Sequence, residues 1–368
     1  MNTKQLRPVC SLGMFDLLKG ITIIAVIIFH SFIWVINYDD NQFLVSIVSS
    51  LLNFLLYSLT IAAGFGIRKR TIKKCALQLK KMFLIPYLVT GIATIILYSF
   101  NYYFLSADFP STFKEGFSIL LSFATGKFSI AFFGGYLIPD IGPIWFVVAL
   151  AGGWFILNLI LNYSQGWKRN FLVLLASLIG YFGNLYSLKY SIPIPFCFFY
   201  MFVYVLGLYI GYLAKENNWF EKKISPIITI LIFVSLFAFV LNWKTPYVVG
   251  ALSPFGGLAY PLGILTPYAA VVVCFGIAYL MTHINRHENI ITNIFEPIGN
   301  NSITILCIHT VETIGMHWYW FRSILPNQSN VSFVVVTLIY RLILIGLDML
   351  LVSTIQKQGG FNKLIRHK

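Results

Sequence analysis

The sequence predicts an all-α protein, namely a polytopic integral membrane bundle of about ten transmembrane helices with both termini in the cytoplasm. Of its 368 residues, 58% are hydrophobic and only 10% are charged, which is the composition of a membrane protein. Apolar runs of about 20 residues, the length that spans a bilayer as a helix, repeat along the whole chain. The basic residues lie mainly in the short gaps between these runs. Together these observations exclude an ordinary soluble domain.

The runs that we interpret as crossings occupy residues 17–36, 42–67, 82–105, 143–161, 170–187, 195–214, 224–241, 261–282, 302–321 and 331–354. The first run follows Lys4 and Arg7 but has no small-residue cleavage site, so we predict a retained helix and not a secretory signal. No hydrophilic stretch is long enough for another domain. Residues 1–368 are therefore predicted to form a single transmembrane domain without an appended soluble domain.

The distribution of Lys and Arg orients the bundle, because short cytoplasmic loops carry most basic residues. With the N-terminus inside, most of the 26 Lys and Arg residues fall in inner segments. Those in outer segments are Lys114, Lys127, Lys189, Lys244 and Arg322. Topology thus explains the net charge of +14, and we expect membrane lipids and not nucleic acid as partners. The five cysteines are scattered, so neither a disulfide framework nor a metal site is predicted.

Residues 113–136 are apolar but are interrupted by Lys127 and several glycines. We interpret this stretch as an outer interfacial helix or a re-entrant segment. A further crossing here would turn Lys168, Arg169, Lys222 and Lys223 to the outside, against the distribution of charge along the chain.

Ionisable side chains at membrane depth are costly, so each one is a candidate functional residue. His30 lies about 13 residues into the first run, which is about 20 Å from its inner end. Asp16 and Lys19 share a helical face with His30, and the three form a line of polar groups from the inner surface. One interpretation is a path to a reactive imidazole. The other is a core histidine satisfied by a neighbouring helix, above an ordinary interfacial ion pair.

His309 and Glu312 are three residues apart in the ninth run and therefore lie on one face of a helix, near the middle of the membrane. Arg341 is at a similar depth in the tenth run. Because either charge alone would be unpaired in lipid, we predict an ion pair between Glu312 and Arg341. The pair could belong to the polar lining of a cavity, or it could be purely structural.

Between residues 68 and 81 the chain carries seven basic residues in fourteen positions, ending with Lys80 and Lys81. Membrane topology alone accounts for such a loop. The functional alternative is a docking patch for a phosphate-rich cytoplasmic donor, because lysine binds phosphate as a point charge.

Four segments follow one another along the chain, namely FDLLKGITIIAVIIFH, AAGFGIRKRTIKKCALQLKKMFLIPYL, GPIWFVVAL and IGNNSITILCIH. Together they resemble acyltransferase family 3, the bacterial integral membrane O-acyltransferases, and particularly its polysaccharide O-acetyltransferase branch. FDLLKGITIIAVIIFH resembles the opening signature of the family, with Asp16 and His30 in the matching positions. AAGFGIRKRTIKKCALQLKKMFLIPYL resembles the basic stretch and Pro-Tyr step before its third helix. GPIWFVVAL, with Trp145, resembles its Trp-Phe helix start, and IGNNSITILCIH, with Ser302 and His309, resembles its late Gly-x-x-Ser segment.

The resemblance implies an O-acyltransferase, most often an O-acetyltransferase, that moves an acyl group from cytoplasmic acyl-CoA to a hydroxyl of a cell-surface glycan or lipid-linked sugar. It implies no permanently bound cofactor, since acetyl-CoA or another acyl-CoA is the donor substrate. It also implies a multi-pass protein of the bacterial inner (plasma) membrane. The alternative class is a proton-coupled secondary transporter or flippase, because buried His, Glu and Arg in a helix bundle also describe such carriers.

If the chain is an acyltransferase, His30 is its central catalytic residue. It could act as a general base, since an ordinary imidazole pKa of about 6.5 suits proton transfer near neutrality, or it could carry the acyl group as an acyl-imidazole. Asp16 is assigned to catalysis through orientation at the inner mouth, and Lys19 to binding there. Further substrate-binding residues are assigned as Lys80, Lys81, Trp145, Ser302, His309, Glu312 and Arg341.

The basic loop departs from the family at one pair of positions. Lys80 and Lys81 stand where the family often has an arginine pair, and lysine cannot bind phosphate bidentately as arginine does.

Overall fold

The computed structural model describes residues 12–33, 57–106, 108–126, 131–133, 136–139, 141–190, 194–241, 265–316 and 330–357. This part of the chain is helical apart from one short hairpin. The helices before the hairpin are α1 (Leu12–Ile33), α2 (residues 57–66), α3 (Ile72–Leu79), α4 (Ile85–Ser106) and α5 (Phe109–Thr125). The helices after it are α6 (Trp145–Tyr163), α7 (Gly166–Lys189), α8 (Phe198–Glu216), α9 (Pro226–Leu241), α10 (Thr266–Ile284), α11 (Ile290–Asn300), α12 (Ser302–Gly315) and α13 (Asn330–Lys357).

The prediction of a helical membrane protein is confirmed in its coarse form. Within the described residues, four stretches are long and apolar enough to cross a membrane, namely Ile72–Ser106, Gly142–Tyr163, Gly166–Ser187 and Pro195–Glu216. The other predicted crossings coincide with α1, α2, α9, α10, α12 and α13, and several of them lie partly outside the described residues. The number of ten crossings and the cytoplasmic position of both termini stay predictions.

The region between α4 and α6 refines the prediction for residues 113–136. α5 runs antiparallel to α4, because Gly116 contacts Ser99 and the Tyr87 hydroxyl donates to the Phe123 carbonyl at 2.6 Å. The chain therefore folds back along α4 here, and the choice between an interfacial helix and a re-entrant segment stays a prediction. Gly126, at φ 58°, ends α5 in the left-handed conformation that glycine tolerates.

A short β-hairpin follows α5, where the all-α prediction expected no strand. β1 (Ala131–Phe133) and β2 (Tyr136–Ile138) pair antiparallel. The two residues between the strands are both glycine, which is a composition that two-residue hairpin turns favour. The apolar strand residues had hidden this hairpin among the surrounding helical runs.

Glycine allows the backbones of neighbouring helices to touch at several places, two of which bear on the site. A Cβ on Gly299 would overlap the Asp16 carbonyl oxygen, and one on Gly20 would overlap the Phe295 carbonyl oxygen, so α1 and α11 cross in backbone contact. Gly211 of α8 lies against the backbone of α2 in the same way, at Ile61, while Gly207, four residues earlier, lies against the Thr60 side chain. Close packing of this kind is what holds helices together in lipid, where burial of apolar surface provides no driving force.

Helix α11 connects this contact to the rest of the bundle. It was not predicted, because its eleven residues include Pro297 and several polar side chains. Asn289 caps its N-terminus, accepting the Thr292 amide at 3.0 Å while its own amide donates to the Thr292 hydroxyl at 2.9 Å. Only Asn301 separates α11 from α12, so the crossing of α1 and α11 also fixes where α12 lies beside α1.

A π-helix, Lys80–Leu84, joins α3 to α4 and has an evident cause. Pro86 has no amide hydrogen to donate to the carbonyl of Met82, so the ordinary ladder of the α-helix is interrupted there. The Ile85 amide donates instead to the Lys80 carbonyl, one residue further back than in an α-helix.

We expect Gly20→Ala to destabilise the protein by at least about 1–3 kcal/mol, because the added methyl group has no room against the Phe295 backbone. Thermal unfolding of the detergent-purified protein, followed by tryptophan fluorescence, measures the change. The control is Gly346→Ala in α13, where no heavy atom lies within 4 Å of the new Cβ. Equal midpoints for the two variants would contradict the tight crossing of α1 and α11.

Candidate active site

His30 lies near the C-terminal end of α1, where its imidazole is oriented by its own helix. Its Nδ1 lies 2.8 Å from the carbonyl oxygen of Val26, one turn earlier. A carbonyl only accepts, so Nδ1 carries the proton and donates it to Val26. The other ring nitrogen, Nε2, is then the basic one. The side chain is partly buried, unlike the residues that it meets on the neighbouring helices.

Three side chains of α12 converge beside it because they are three and four residues apart. His309 Nδ1 lies 2.5 Å from Glu312 Oε1, and the Thr313 hydroxyl donates to the same carboxylate oxygen at 3.2 Å. Exposed fractions of 1% for His309 and 4% for Glu312 show that the carboxylate and the imidazole are both withdrawn from solvent. The acceptor Glu312 therefore fixes the Nδ1–H tautomer of His309.

Arg341 of α13 compensates the buried carboxylate on its other side. Its side chain is 0% exposed, and its Nε lies 3.4 Å from Glu312 Oε2. The predicted ion pair between Glu312 and Arg341 is thus present. Because each oxygen of Glu312 has its own partner, the pair and the histidine contact coexist without competition.

The two histidines are in direct contact, although 279 positions separate them in the chain. His309 Nε2 lies 3.2 Å from His30 Nδ1, and the ring centroids are 5.1 Å apart. With its proton on Nδ1, His309 accepts at Nε2 the hydrogen that His30 also donates to Val26. Arg341, Glu312, His309 and His30 therefore form one continuous line of polar groups, which we call the buried relay.

The buried relay has the features of an acid–base device. A proton accepted at His30 Nε2 would create an imidazolium whose Nδ1–H points at His309, and the Glu312 carboxylate lies behind it to stabilise the charge. Catalytic triads work in this way, with a base that is oriented and stabilised by a second group and that group held in turn by a third. In the described part of the chain, no group of three His, Cys, Asp or Glu side chains has a geometry that could hold a metal ion.

The inner-mouth residues of α1 do not join this cluster. Lys19 Nζ and Asp16 Oδ1 form an ion pair at 2.6 Å, with both side chains partly exposed. Asp16 is fourteen residues before His30, or about 21 Å along the helix, so it does not touch the buried relay. Its role in orientation at the inner mouth stays a prediction.

The remaining predicted binding residues lie outside the buried relay. Trp145 is buried at the start of α6, with ring centroids 5.3 Å from Tyr200 and 6.3 Å from Tyr204. It lies close to α12, since the preceding Gly142 contacts Ile314. Ser302 is the first residue of α12, about 10 Å along the helix from His309. Lys80 and Lys81 are exposed on the π-helix.

Sequence reasoning missed two parts of the site. Thr313 could have been found, because it follows His309 by four residues and must therefore share its helical face. The contact between His30 and His309 could not, because it depends on how α1 crosses the unpredicted helix α11.

The chain matches a known protein family over most of its length. Residues 13–347 match the family model described as an acyltransferase domain, Acyl_transf_3. The chain belongs to acyltransferase family 3. It is a membrane acyltransferase that transfers groups other than aminoacyl groups, and the buried relay lies within the matched region. Searches of curated proteins and of solved structures found no match.

We expect Glu312→Gln and Arg341→Gln each to destabilise this acyltransferase by about 3–5 kcal/mol, because each leaves a buried charge unpaired. The double variant should recover most of the loss, which thermal unfolding of the purified proteins measures as a double-mutant cycle. The control is the partly exposed pair Asp16→Asn with Lys19→Gln, whose coupling should stay below about 1 kcal/mol. Additive losses at Glu312 and Arg341 would argue against energetic coupling between the two side chains.

Proposed function

We propose that this protein is an O-acyltransferase, specifically an O-acetyltransferase, that uses cytoplasmic acyl-CoA to acylate a hydroxyl of a cell-surface glycan or lipid-linked sugar. The observation that carries the proposal is the buried relay, which ends in a partly buried imidazole whose basic nitrogen is Nε2. Family membership supplies the reaction class, and the relay supplies a base suited to activating a hydroxyl.

The reaction balances with these residues alone. His30 Nε2 accepts the proton of the acceptor hydroxyl as its oxygen attacks the thioester carbonyl carbon. The carbon–sulfur bond then breaks, and the thiolate leaves with the proton that His30 had taken up. The products are the sugar ester and free CoA. During the transfer, His309 and Glu312 stabilise the transient imidazolium, which is their proposed role beyond lining the cavity.

A second route uses the same nitrogen as a nucleophile. His30 Nε2 attacks the thioester carbonyl carbon, the carbon–sulfur bond breaks, and the CoA thiolate leaves with the Nδ1 proton of the acyl-imidazolium. The acceptor hydroxyl later attacks the acyl-imidazole, and its proton returns to His30. This order would let donor and acceptor visit from opposite sides of the membrane. The two routes differ in whether CoA can be released before an acceptor is present.

The donor side of the proposal is supported by charge. Arg68, Lys69 and Arg70 are exposed beside the predicted inner end of α2, and Lys80 and Lys81 are exposed one helix further along. Such a surface can bind the phosphates of CoA, while its long pantetheine arm reaches into the bundle. Localisation in the bacterial cell membrane, as a multi-pass protein, belongs to the same proposal. A proton-coupled carrier would need neither this surface nor an acyl donor.

We expect wild-type protein in nanodiscs to release CoA from acetyl-CoA when a membrane glycan extract is added, and His30→Ala to release it about 10²–10⁴-fold more slowly. The control is His287→Ala, which removes an exposed histidine outside the relay and should leave the rate within twofold. Size-exclusion chromatography checks that the three proteins are equally well folded. A His30→Ala protein that acylates normally would remove the relay from the mechanism, and no release by wild type would reject the proposed function.

Rapid mixing without acceptor separates the two routes. If His30 is a general base, CoA release should stay well below one equivalent per protein. A burst of about one equivalent, with a hydroxylamine-labile acyl group on the protein, would instead establish the acyl-imidazole. Glu312→Gln should slow either route, because the imidazolium or acyl-imidazole loses the charge that stabilises it.

A further inference from the structure

The chain between α2 and α3 is held in place by a buried side chain and by hydrogen bonds to its backbone. Residues 68–74 form a segment that we call the cationic segment, with five basic side chains that are all exposed: Arg68, Lys69, Arg70, Lys73 and Lys74. Ile67, just before it, is 1% exposed and anchors its start in the core. Thr71 caps α3 within it by accepting the Lys74 amide at 3.4 Å. The backbone is therefore tied down while the charges project outward.

Two asparagines of α6 also hold the cationic segment, by hydrogen bonds to its backbone. Asn158 Oδ1 accepts the Arg70 amide at 3.0 Å, and Asn158 Nδ2 donates to the Arg70 carbonyl at 3.0 Å. Asn162 Nδ2 donates to the same carbonyl at 2.8 Å. One side-chain amide thus satisfies both backbone groups of Arg70, as a neighbouring strand would do.

The chemistry of this clamp suits a segment crowded with positive charge. Asn158 is 1% exposed, and a polar side chain buried so deeply is costly unless its hydrogen bonds are made. A carboxylate at this position could accept the Arg70 amide, but its second oxygen would face the Arg70 carbonyl and its charge would neutralise a neighbouring cation. A neutral amide holds the backbone and leaves the charge available to an anion outside.

We infer that Asn158, with Asn162 behind it, is a positioning residue that holds the cationic segment in the conformation that binds the phosphate-rich end of the acyl donor. This inference rests on the proposed function. Five mutually repelling cations on an untethered loop would have to be ordered at the moment of binding, and that cost lowers affinity. The clamp removes the cost in advance. Asn158 itself touches neither the thioester nor the acceptor.

The test separates donor affinity from chemistry. Asn158→Ala should raise the KM for acetyl-CoA about tenfold, while kcat and the KM for the acceptor stay unchanged. We expect a smaller effect than the ~100-fold that a 1 Å misplacement of a catalytic group can cost, because Asn158 acts only on donor binding. Asn162→Ala, which removes one bond to Arg70, should have a smaller effect in the same direction. The matched control is Asn217→Ala, whose side chain bonds only the Leu213 carbonyl of its own helix among the contacts described.

Direct binding distinguishes this inference from the proposed function. Titration calorimetry with CoA and with adenosine 3′,5′-bisphosphate should show wild-type binding that Asn158→Ala weakens about tenfold. If wild type binds neither probe, the proposed function and this inference both fail. If wild type binds and Asn158→Ala binds equally well, or loses only thermal stability, the inference alone is overturned.

A phosphate-binding segment at the membrane surface could also hold lipid headgroups, so the titrations are run in two kinds of nanodisc. The effect of Asn158→Ala on nucleotide affinity should persist in phosphatidylcholine alone. If it instead changes only the retention of added phosphatidylglycerol, the segment binds lipid and the inference is wrong. Neutralising Arg68, Lys69 and Arg70 to Gln should abolish the effect of Asn158→Ala, since the clamp acts through them.

Discussion

Burial of the Glu312 carboxylate is the constraint on which the rest of the site depends. A carboxylate withdrawn from water is stable only when its charge and its hydrogen bonds are compensated. Arg341 compensates the charge from α13, while His309 and Thr313 satisfy the oxygen that faces α12. Because His309 in turn meets His30, one carboxylate ties together three helices that are distant in the chain. Removing it would leave Arg341 without a counter-ion and His309 without the acceptor that fixes its tautomer.

The buried relay differs from a catalytic triad because two imidazoles, and not one, stand in line with the carboxylate. In a triad the acid fixes the tautomer of the base directly. Here Glu312 fixes the tautomer of His309, while the Val26 carbonyl fixes that of His30. The backbone of α1 therefore does part of the work that a third side chain does elsewhere. The close crossing at Gly20 and Gly299 is what makes this arrangement possible, since it determines the distance between the two helices that carry the histidines.

Much of the buried relay could be predicted from the sequence, because charge pairing and helical spacing follow simple physical rules. Contacts that depend on how two helices cross could not be predicted. Glu312 and Arg341 could be paired in advance because lipid leaves buried opposite charges few alternatives. His309 and Glu312 followed from helical spacing. The histidine contact did not, because it depends on a crossing made by glycine backbones, and glycine leaves no hydrophobic pattern. The hairpin was missed because its apolar residues resemble helix, and Asn158 because one polar residue in an apolar helix does not show which backbone it will meet.

The electrical neutrality of the relay has a consequence for the choice of acceptor. The charges of Arg341 and Glu312 cancel, and one proton on each imidazole, at Nδ1, is enough to make the hydrogen bonds of the two histidines. Such a surrounding discriminates by charge, since a cationic or anionic group would lose its hydration on entering without meeting a counter-ion. A protonated amine would in addition have to give up a proton before it could attack, and would occupy the base that the reaction needs. A neutral alcohol meets neither barrier, so the charge of this centre suits the hydroxyl acceptor that we propose.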